Sequence, residues 1–255
     1  MPALIFDCDG VLADTERYGH LPAFNQTFRE FNLPVQWSEE EYGVKLKIAG
    51  GKERMASLLT PEFVKQVNLP SDPEEQKEML AKWHKRKTAI YKQMNLDGAL
   101  PGRPGVARVV HEAVAAGWQL AVASTSAEES VKAVLDSVVG KDMAAHFDVL
   151  AGDIVPKKKP APDIYLLTLE RLKVSPDKAL IVEDSRNGLL AAVAAGVRCV
   201  VTLSSYTWEE DMSEALLVVS DLGEPDNPMR VIANRSQSRP GNYVTLQDLA
   251  DCLNS

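Results

Sequence analysis

The chain opens on a continuous apolar run, Ala3-Leu4-Ile5-Phe6, that stops at Asp7-Cys8-Asp9-Gly10. A short run of this kind reads as a strand buried on both faces, delivering a loop at its carboxyl end. The pattern then changes. From 15 to 95 the apolar positions recur at helical spacing, punctuated by Pro34, Gly50-Gly51, Pro61 and Pro70-Ser71-Asp72-Pro73, and no strong strand appears. Beyond it the spacing predicts a helix over 104–116, a buried strand over 118–123 ending at Ser124, a helix over 127–138 and a short strand over 147–150. A helix over 163–172, a strand over 179–182 ending at Glu183-Asp184, a helix over 188–195 and a strand over 197–201 follow. The stretch 222–241 carries little pattern, and 246–253 reads as a closing helix. Strands alternating with helices predict an α/β fold, a doubly wound parallel sheet covered on both faces. The core domain is expected over 1–14 and 96–255, with a helical domain inserted over 15–95.

The polar residues fall in a telling place. Asp7, Asp9, Ser124, Glu183 and Asp184 all lie at or just after the carboxyl ends of buried strands. In one parallel sheet those ends converge on one edge, where ligands of such sheets bind. Oxygen-bearing side chains from distant parts of the chain are thus expected to meet.

Composition narrows the classes. At 255 residues, the chain is long enough for a core domain plus a smaller one. Hydrophobic residues at 45% and charged residues at 25% match an ordinary globular protein that buries a full core. The 28 basic and 36 acidic side chains give a net charge of -8, which argues against nucleic acid as a partner. An anionic substrate must then be held by local positive groups or by a metal. Cys8, Cys199 and Cys252 are far apart and lack paired-ligand spacing, so free thiols in a reducing compartment are expected. That compartment is the cytoplasm, or a plastid stroma if a transit peptide has been removed. No apolar run is long enough to span a bilayer, and Asp7 and Asp9 interrupt the first apolar stretch too early for a signal peptide. A monomer without membrane partners is expected.

Each polar piece has a chemical reading and a plainer one. Asp7 is a carboxylate that can attack phosphorus, or a strand-end acid in a turn. Asp9, two positions on, can reach the same side, protonate a leaving oxygen and later take a proton from water; otherwise it caps a helix. Ser124 can donate to a phosphoryl oxygen, or cap the helix that follows. Lys159 stands beside Lys157 and Lys158, so it is either a charge held near a phosphoryl group or part of a solvated run. Glu183 and Asp184 are adjacent carboxylates that repel unless a cation lies between them, and hard oxygen ligands suit Mg²⁺. Cys8 reads as a small buried hydrophobe. Trp83-His84-Lys85-Arg86-Lys87 reads as a solvated helix face.

Asp7-Cys8-Asp9-Gly10-Val11, Ser124, Lys159-Pro160 and Glu183-Asp184, in this order and with a helical insertion after the first, resemble the haloacid dehalogenase superfamily of phosphohydrolases over nearly the whole chain. The resemblance implies Asp7 as nucleophile, Asp9 as acid and base, Ser124 and Lys159 on the phosphoryl group, and Mg²⁺ held by Asp7, Asp184 and the backbone carbonyl of Asp9 with Glu183 close by or bound. The lysine of that family directly precedes proline, which singles out Lys159. The insertion resembles the cap domain of one branch, whose closure would exclude water and shape specificity.

Asp14-Thr15-Glu16, with His20 and Ala23-Phe24-Asn25, resembles the start of the cap in the beta-phosphoglucomutase-like branch. His20 follows Glu16 by four positions where that branch has three, which leaves its role open. Gly50-Gly51-Lys52-Glu53-Arg54, Val155 to Pro160 and Ser205-Tyr206-Thr207 resemble the CbbY-type subfamily. That subfamily removes the 1-phosphate of xylulose 1,5-bisphosphate and leaves xylulose 5-phosphate. Two glycines before a helix let the backbone approach an anion. Glu16, Gly51, Lys52, Arg54 and Thr125 are the candidate substrate contacts. Lys52 and Arg54 cannot share a helix face, and the resemblance, whose branch places its cap arginine three residues after the second glycine, favours Arg54, whose guanidinium can grip phosphate with two hydrogen bonds. The implied function is a Mg²⁺-dependent phosphatase for a small phosphorylated sugar acting through an aspartyl-phosphate. A sugar phosphomutase and a non-catalytic sugar-phosphate-binding regulator are the alternatives.

Overall fold

The computed structural model describes residues 1–48, 50–98 and 100–255. The chain forms two compact units, Met1–Thr15 with Leu100–Ser255, and Glu16–Ala99. β1 (Ala3–Phe6) opens the larger unit. The smaller unit holds α1 (Leu21–Glu30), α2 (Glu39–Leu46), α3 (Gly51–Ala56), α4 (Pro61–Gln66) and α5 (Pro73–Leu96). The larger unit resumes with α6 (Val106–Ala115), β2 (Gln119–Ser124), α7 (Glu128–Val139), α8 (Lys141–Ala144), β3 (Phe147–Ala151), α9 (Asp163–Leu172) and β4 (Ala179–Glu183). It closes with α10 (Arg186–Ala194), β5 (Arg198–Thr202), β6 (Leu217–Val219), β7 (Val231–Asn234) and α11 (Leu246–Leu253).

The strands form one sheet in the order β3-β2-β1-β4-β5-β6-β7. All neighbours pair in parallel except β7, which runs antiparallel to β6. β1 lies inside the sheet, with Phe6 in register with Val122 of β2 and Val182 of β4. Its four residues are fully buried, which is why its sequence is continuously apolar. Alternation divides them. Ala3 and Ile5 join Ala121, Ala123, Ile181, Ile164, Tyr165 and Leu189 in the core under α9 and α10. Leu4 and Phe6 point to the other face, which α6 and α11 cover. Each fully buried Ile, Leu or Phe here contributes about 1.5–3 kcal/mol. A charge at Ile5 would break the sheet at its centre.

The doubly wound α/β architecture is the one expected, with three additions. β6 reads in hindsight as the apolar run Leu216 to Val219, and it extends the sheet past β5. β7 is mostly exposed and shows no alternation, so periodicity gives it no signal. α8 is a single turn.

In the smaller unit, Leu21, Phe24 and Phe28 of α1 form one buried helical stripe. Phe24, Phe28, Trp37 and Tyr42 make an aromatic cluster, with ring centroids 4.8 Å apart for Phe28–Trp37 and 5.1 Å for Phe24–Trp37. α5 starts at a capped Asp72-Pro73, where the Asp72 side chain accepts from the backbone of Glu74 and Glu75. Its buried face includes Leu80, Trp83, Lys87, Ile90 and Tyr91. The expected solvated face over 83–87 is therefore corrected. Trp83 and Lys87, one turn apart, are buried, while Lys85 and Arg86 face solvent. Counting the run as one basic block hid its two-sidedness.

Candidate active site

Four chain segments of the larger unit meet at the carboxyl edge of the sheet. The backbone N–H of Asp7 still donates to Val182 at 3.0 Å, so the residue after β1 remains tied to β4. Asp7 is 8% exposed and Asp184, just past β4, is 7% exposed. Glu183, the last residue of β4, is fully buried. Oxygens of Asp7, Glu183 and Asp184 come within 4.8 Å of one another.

Lys159 reaches this group from the loop before α9. Its ammonium donates to Asp7 Oδ1 at 2.6 Å, to Glu183 Oε1 at 2.7 Å and to the Ala123 carbonyl at 3.1 Å. The solvated-run alternative fails for Lys159 and fits Lys158, which pairs with Asp153 in solvent. Burial works against the charge on Lys159, but Asp7 and Glu183 outweigh it and hold the ammonium above its usual range. Burial pushes Asp7 up to about 7; Lys159 opposes that shift, and the charges of Glu183 and Asp9 add to it. Asp184 is pushed well above the usual carboxylate range by burial, then by Glu183 and Asp7, while Ser204 and Arg103 pull it down.

Asp9 caps no helix. Thr15 donates to its Oδ1 at 2.5 Å and the Ser126 hydroxyl donates to its Oδ2. Thr15 stood in the sequence only as part of the Asp14-Thr15-Glu16 motif, with no contact to Asp9 expected, and Ser126 did not stand out, although it is two positions from Ser124. The Ser124 hydroxyl accepts from the backbone of Ser126 at 3.1 Å, and α7 has Ala127 at its start with no side-chain cap. The capping alternative for Ser124 is thus removed. Thr125 lies beside it, half-buried. Cys8 is buried, with its thiol pushed well up by burial, as expected of a packing residue. All three cysteines are free and buried.

Two glycines allow the close approach. Gly10 sits at φ +83°, and a Cβ there would come within 2.0 Å of Asp184. A Cβ on Gly188, in α10, would overlap the Glu183 carboxylate at 1.9 Å. The sequence reading also missed Arg103. Its half-buried guanidinium donates to the carbonyls of Gly10 and Leu203 at 2.8 Å and of Ser220 at 2.5 Å. It ties the loop after β1 to those after β5 and β6.

The cluster fits a divalent cation. Three buried carboxylates against one ammonium leave an excess of negative charge, and burial raises both Asp7 and Asp184. Hard oxygen donors with no sulfur or imidazole among them suit Mg²⁺. The Asp9 carboxylate stands outside this group, so only its backbone carbonyl remains as a candidate ligand.

The candidates in the smaller unit form their own network. Arg54 donates to the Ile48 carbonyl at 3.0 Å and to the Tyr42 hydroxyl at 3.0 Å, and lies 3.5 Å from Glu16 Oε1. Tyr42 donates to Glu16 Oε2 at 2.5 Å. Glu16 and Arg54 are thus brought together, with Tyr42 as the link the sequence did not show. Gly51 is the first residue of α3, and Lys52 shares none of these partners. His20 stacks on Tyr91 with centroids 4.0 Å apart, and its Nδ1 lies 2.7 Å from the Lys87 ammonium. Burial, then the charges of Lys87, Arg54 and His84, keep its imidazole well below the ordinary value.

Comparison with known proteins agrees with this geometry. Residues 1–196 match the family model of haloacid dehalogenase-like hydrolases. Protein CbbY of Cupriavidus necator is 42% identical over 254 residues, covering 98% of this chain and 94% of that protein. A phosphorylated carbohydrates phosphatase of Thermotoga maritima is 31% identical, over 77% of this chain and 82% of its own. The crystal structure of a mutant CbbY from Rhodobacter sphaeroides in complex with xylulose-(1,5)bisphosphate superposes with a TM-score of 0.71 at 38% identity, over 87% of this chain and 95% of that one. No described helix is long and apolar enough to cross a membrane. Sheet order, strand-end carboxylates and these matches point the same way, and the chain belongs to the haloacid dehalogenase-like hydrolases and is a phosphatase.

Proposed function

We propose that this phosphatase is Mg²⁺-dependent, acts on small phosphorylated sugars through a phosphorylated Asp7, and takes a sugar bisphosphate of the xylulose 1,5-bisphosphate type as substrate, leaving xylulose 5-phosphate. The observation that carries the mechanism is the placement of Lys159 on Asp7 at 2.6 Å, with Asp9 held two residues away by Thr15 and Ser126. Asp7 attacks phosphorus, and the bond from phosphorus to the sugar oxygen breaks. Asp9 gives that oxygen its proton, then takes one from the water that cleaves the acyl phosphate, which returns Asp7 and releases phosphate. Ser124 and Lys159 meet the phosphoryl oxygens, Lys159 by offsetting their charge. Asp7, Asp184 and the Asp9 carbonyl, with Glu183 beside them, would hold Mg²⁺, which when bound neutralises and orients the phosphoryl group. Arg54 grips the second phosphate through its paired N–H donors, with Gly51 and Lys52 at the start of the same helix, Glu16 setting the guanidinium, and Thr125 beside Ser124 as a further contact. Support for the substrate comes from the CbbY relative whose structure contains xylulose-(1,5)bisphosphate.

The test is a phosphate-release screen over sugar mono- and bisphosphates with Mg²⁺, with NMR of the products and Asp7→Asn as control. Free phosphate with a sugar bisphosphate as best substrate, and no turnover by a folded Asp7→Asn, is the expected result. Return of the phosphoryl group to sugar would make the chain a phosphomutase. Full turnover by Asp7→Asn would end the covalent mechanism.

A further inference from the structure

The loop that carries Lys159 runs directly into α9, and the first turn of that helix places Tyr165 under the site. Tyr165 is fully buried. Its hydroxyl donates to Glu183 Oε1, the same oxygen that accepts from Lys159 at 2.7 Å. The Lys159 ammonium also sits over the Tyr165 ring, 4.8 Å from its centroid. The other Glu183 oxygen accepts from the Asp184 backbone at 3.1 Å and lies 3.4 Å from the Ser185 hydroxyl. A fully buried carboxylate needs such donors, because an unmatched oxygen there is costly. Glu183 is thereby held on both sides, and what it holds in turn is Lys159. The chain of contacts runs Tyr165–Glu183–Lys159–Asp7, from the interior of the sheet to the reacting carboxylate.

We propose that Tyr165 is a positioning residue for phosphoryl transfer: its hydroxyl fixes the Glu183 carboxylate so that Lys159 stays in place across Asp7. Without that hydroxyl, Oε1 keeps only the lysine, and the carboxylate gains freedom to rotate and draw the ammonium off Asp7. The ring remains as packing and as the face beneath the ammonium, so the loss falls on orientation and not on the fold. The inference rests on the reading of Asp7 and Lys159 as nucleophile and charge partner.

Tyr165→Phe removes one oxygen and keeps the core. Steady-state kinetics with a sugar phosphate and Mg²⁺ should show kcat reduced about 10-fold or more, the range for partners one step removed from a site, with KM changed much less. The thermal midpoint should stay within a few degrees of the parent, as expected for about 1 kcal/mol. In a Lys159→Ala background the same substitution should cause no further fall in kcat, because the group it positions is gone. A purely structural role would give the same fall in both backgrounds. An undiminished kcat in Tyr165→Phe, a change confined to KM, or additive losses with Lys159→Ala would overturn the inference. Asp7→Asn run alongside separates the two readings. Turnover by Asp7→Asn removes the mechanism itself, whereas an inactive Asp7→Asn with a fully active Tyr165→Phe removes only the role of Tyr165.

Discussion

Lys159 and Asp7 form a largely buried ion pair at 2.6 Å across the strand-end edge of the sheet, and Glu183 shares the same ammonium at 2.7 Å. One cation thus serves two carboxylates with little solvent to screen it. Deleting the ammonium leaves both carboxylates to face each other, and a buried charge stripped of its partner typically costs about 3 kcal/mol or more. Lys159→Ala is therefore expected to lower stability to urea by that order and to cut kcat by about 10²–10³-fold, the usual cost of losing a donor aimed at transition-state charge. Denaturant melts and phosphate release on the same preparation check both.

Mg²⁺ should stabilise the fold as well as support turnover. The carboxylates of Asp7 and Asp184 are raised by burial and crowding, so a cation among them relieves repulsion. At a concentration about 100 times its Kd, Mg²⁺ should add about 2.7 kcal/mol to unfolding if it binds the native state alone. Chelator should abolish phosphate release, and restored Mg²⁺ should return it. In Asp184→Asn the thermal shift should largely vanish, a readout independent of turnover. An undiminished shift in that variant would take Asp184 out of the metal site.

Arg54 is expected to separate substrates. Its guanidinium is set by Tyr42 and lies 3.5 Å from Glu16 Oε1. Arg54→Ala should lower kcat/KM on a sugar bisphosphate about 100-fold, in keeping with charge-assisted hydrogen bonds of about 1.5–3 kcal/mol. Acetyl phosphate, which has no second phosphate, should change little. Equal losses on both substrates would make Arg54 a structural residue of the smaller unit.

His20 gives a pH dependence. Burial and the neighbouring Lys87, Arg54 and His84 charges hold its folded-state pKa well below 6.5. A depressed folded-state value means that the unfolded chain takes up the proton first. The stability contributed by neutral His20 is present above pH 6.5 and is lost as pH falls below it. Asp7 and Asp184, raised in the folded state, act with the opposite sign over the same window, so the readout is the difference between parent and His20→Gln: the parent should lose stability relative to that variant between about pH 7 and pH 5.5. A His20 imidazole that titrates near its ordinary value by NMR would contradict the prediction.

The sequence carried the strands that form the middle of the sheet because both their faces are buried, and apolar runs such as Ala3 to Phe6 record that directly. It carried Asp7, Asp9, Ser124, Lys159, Glu183 and Asp184 as motif residues because each follows such a run or stands at fixed order among them. It did not carry Tyr165 or Trp83. Both look like ordinary helix residues, and only the packed chain shows that a phenol faces a carboxylate and an indole faces inward. Arg103 was hidden for a related reason. Its partners are three backbone carbonyls, and a carbonyl has no letter in a sequence. β7 escaped because an exposed edge strand has no reason to alternate.

The ion pair on which the site turns joins positions 152 residues apart. Glu183 is a further 24 residues beyond Lys159, and the central strand must find both β2 and β4 before any of these groups face one another. Closing such loops is a late event in assembly, since the chain entropy is lost before the contacts reward it. The catalytic cluster draws on residues from Asp7 to Asp184, so recovery of turnover after dilution from denaturant should trail the return of helical signal and report on completion of the whole sheet.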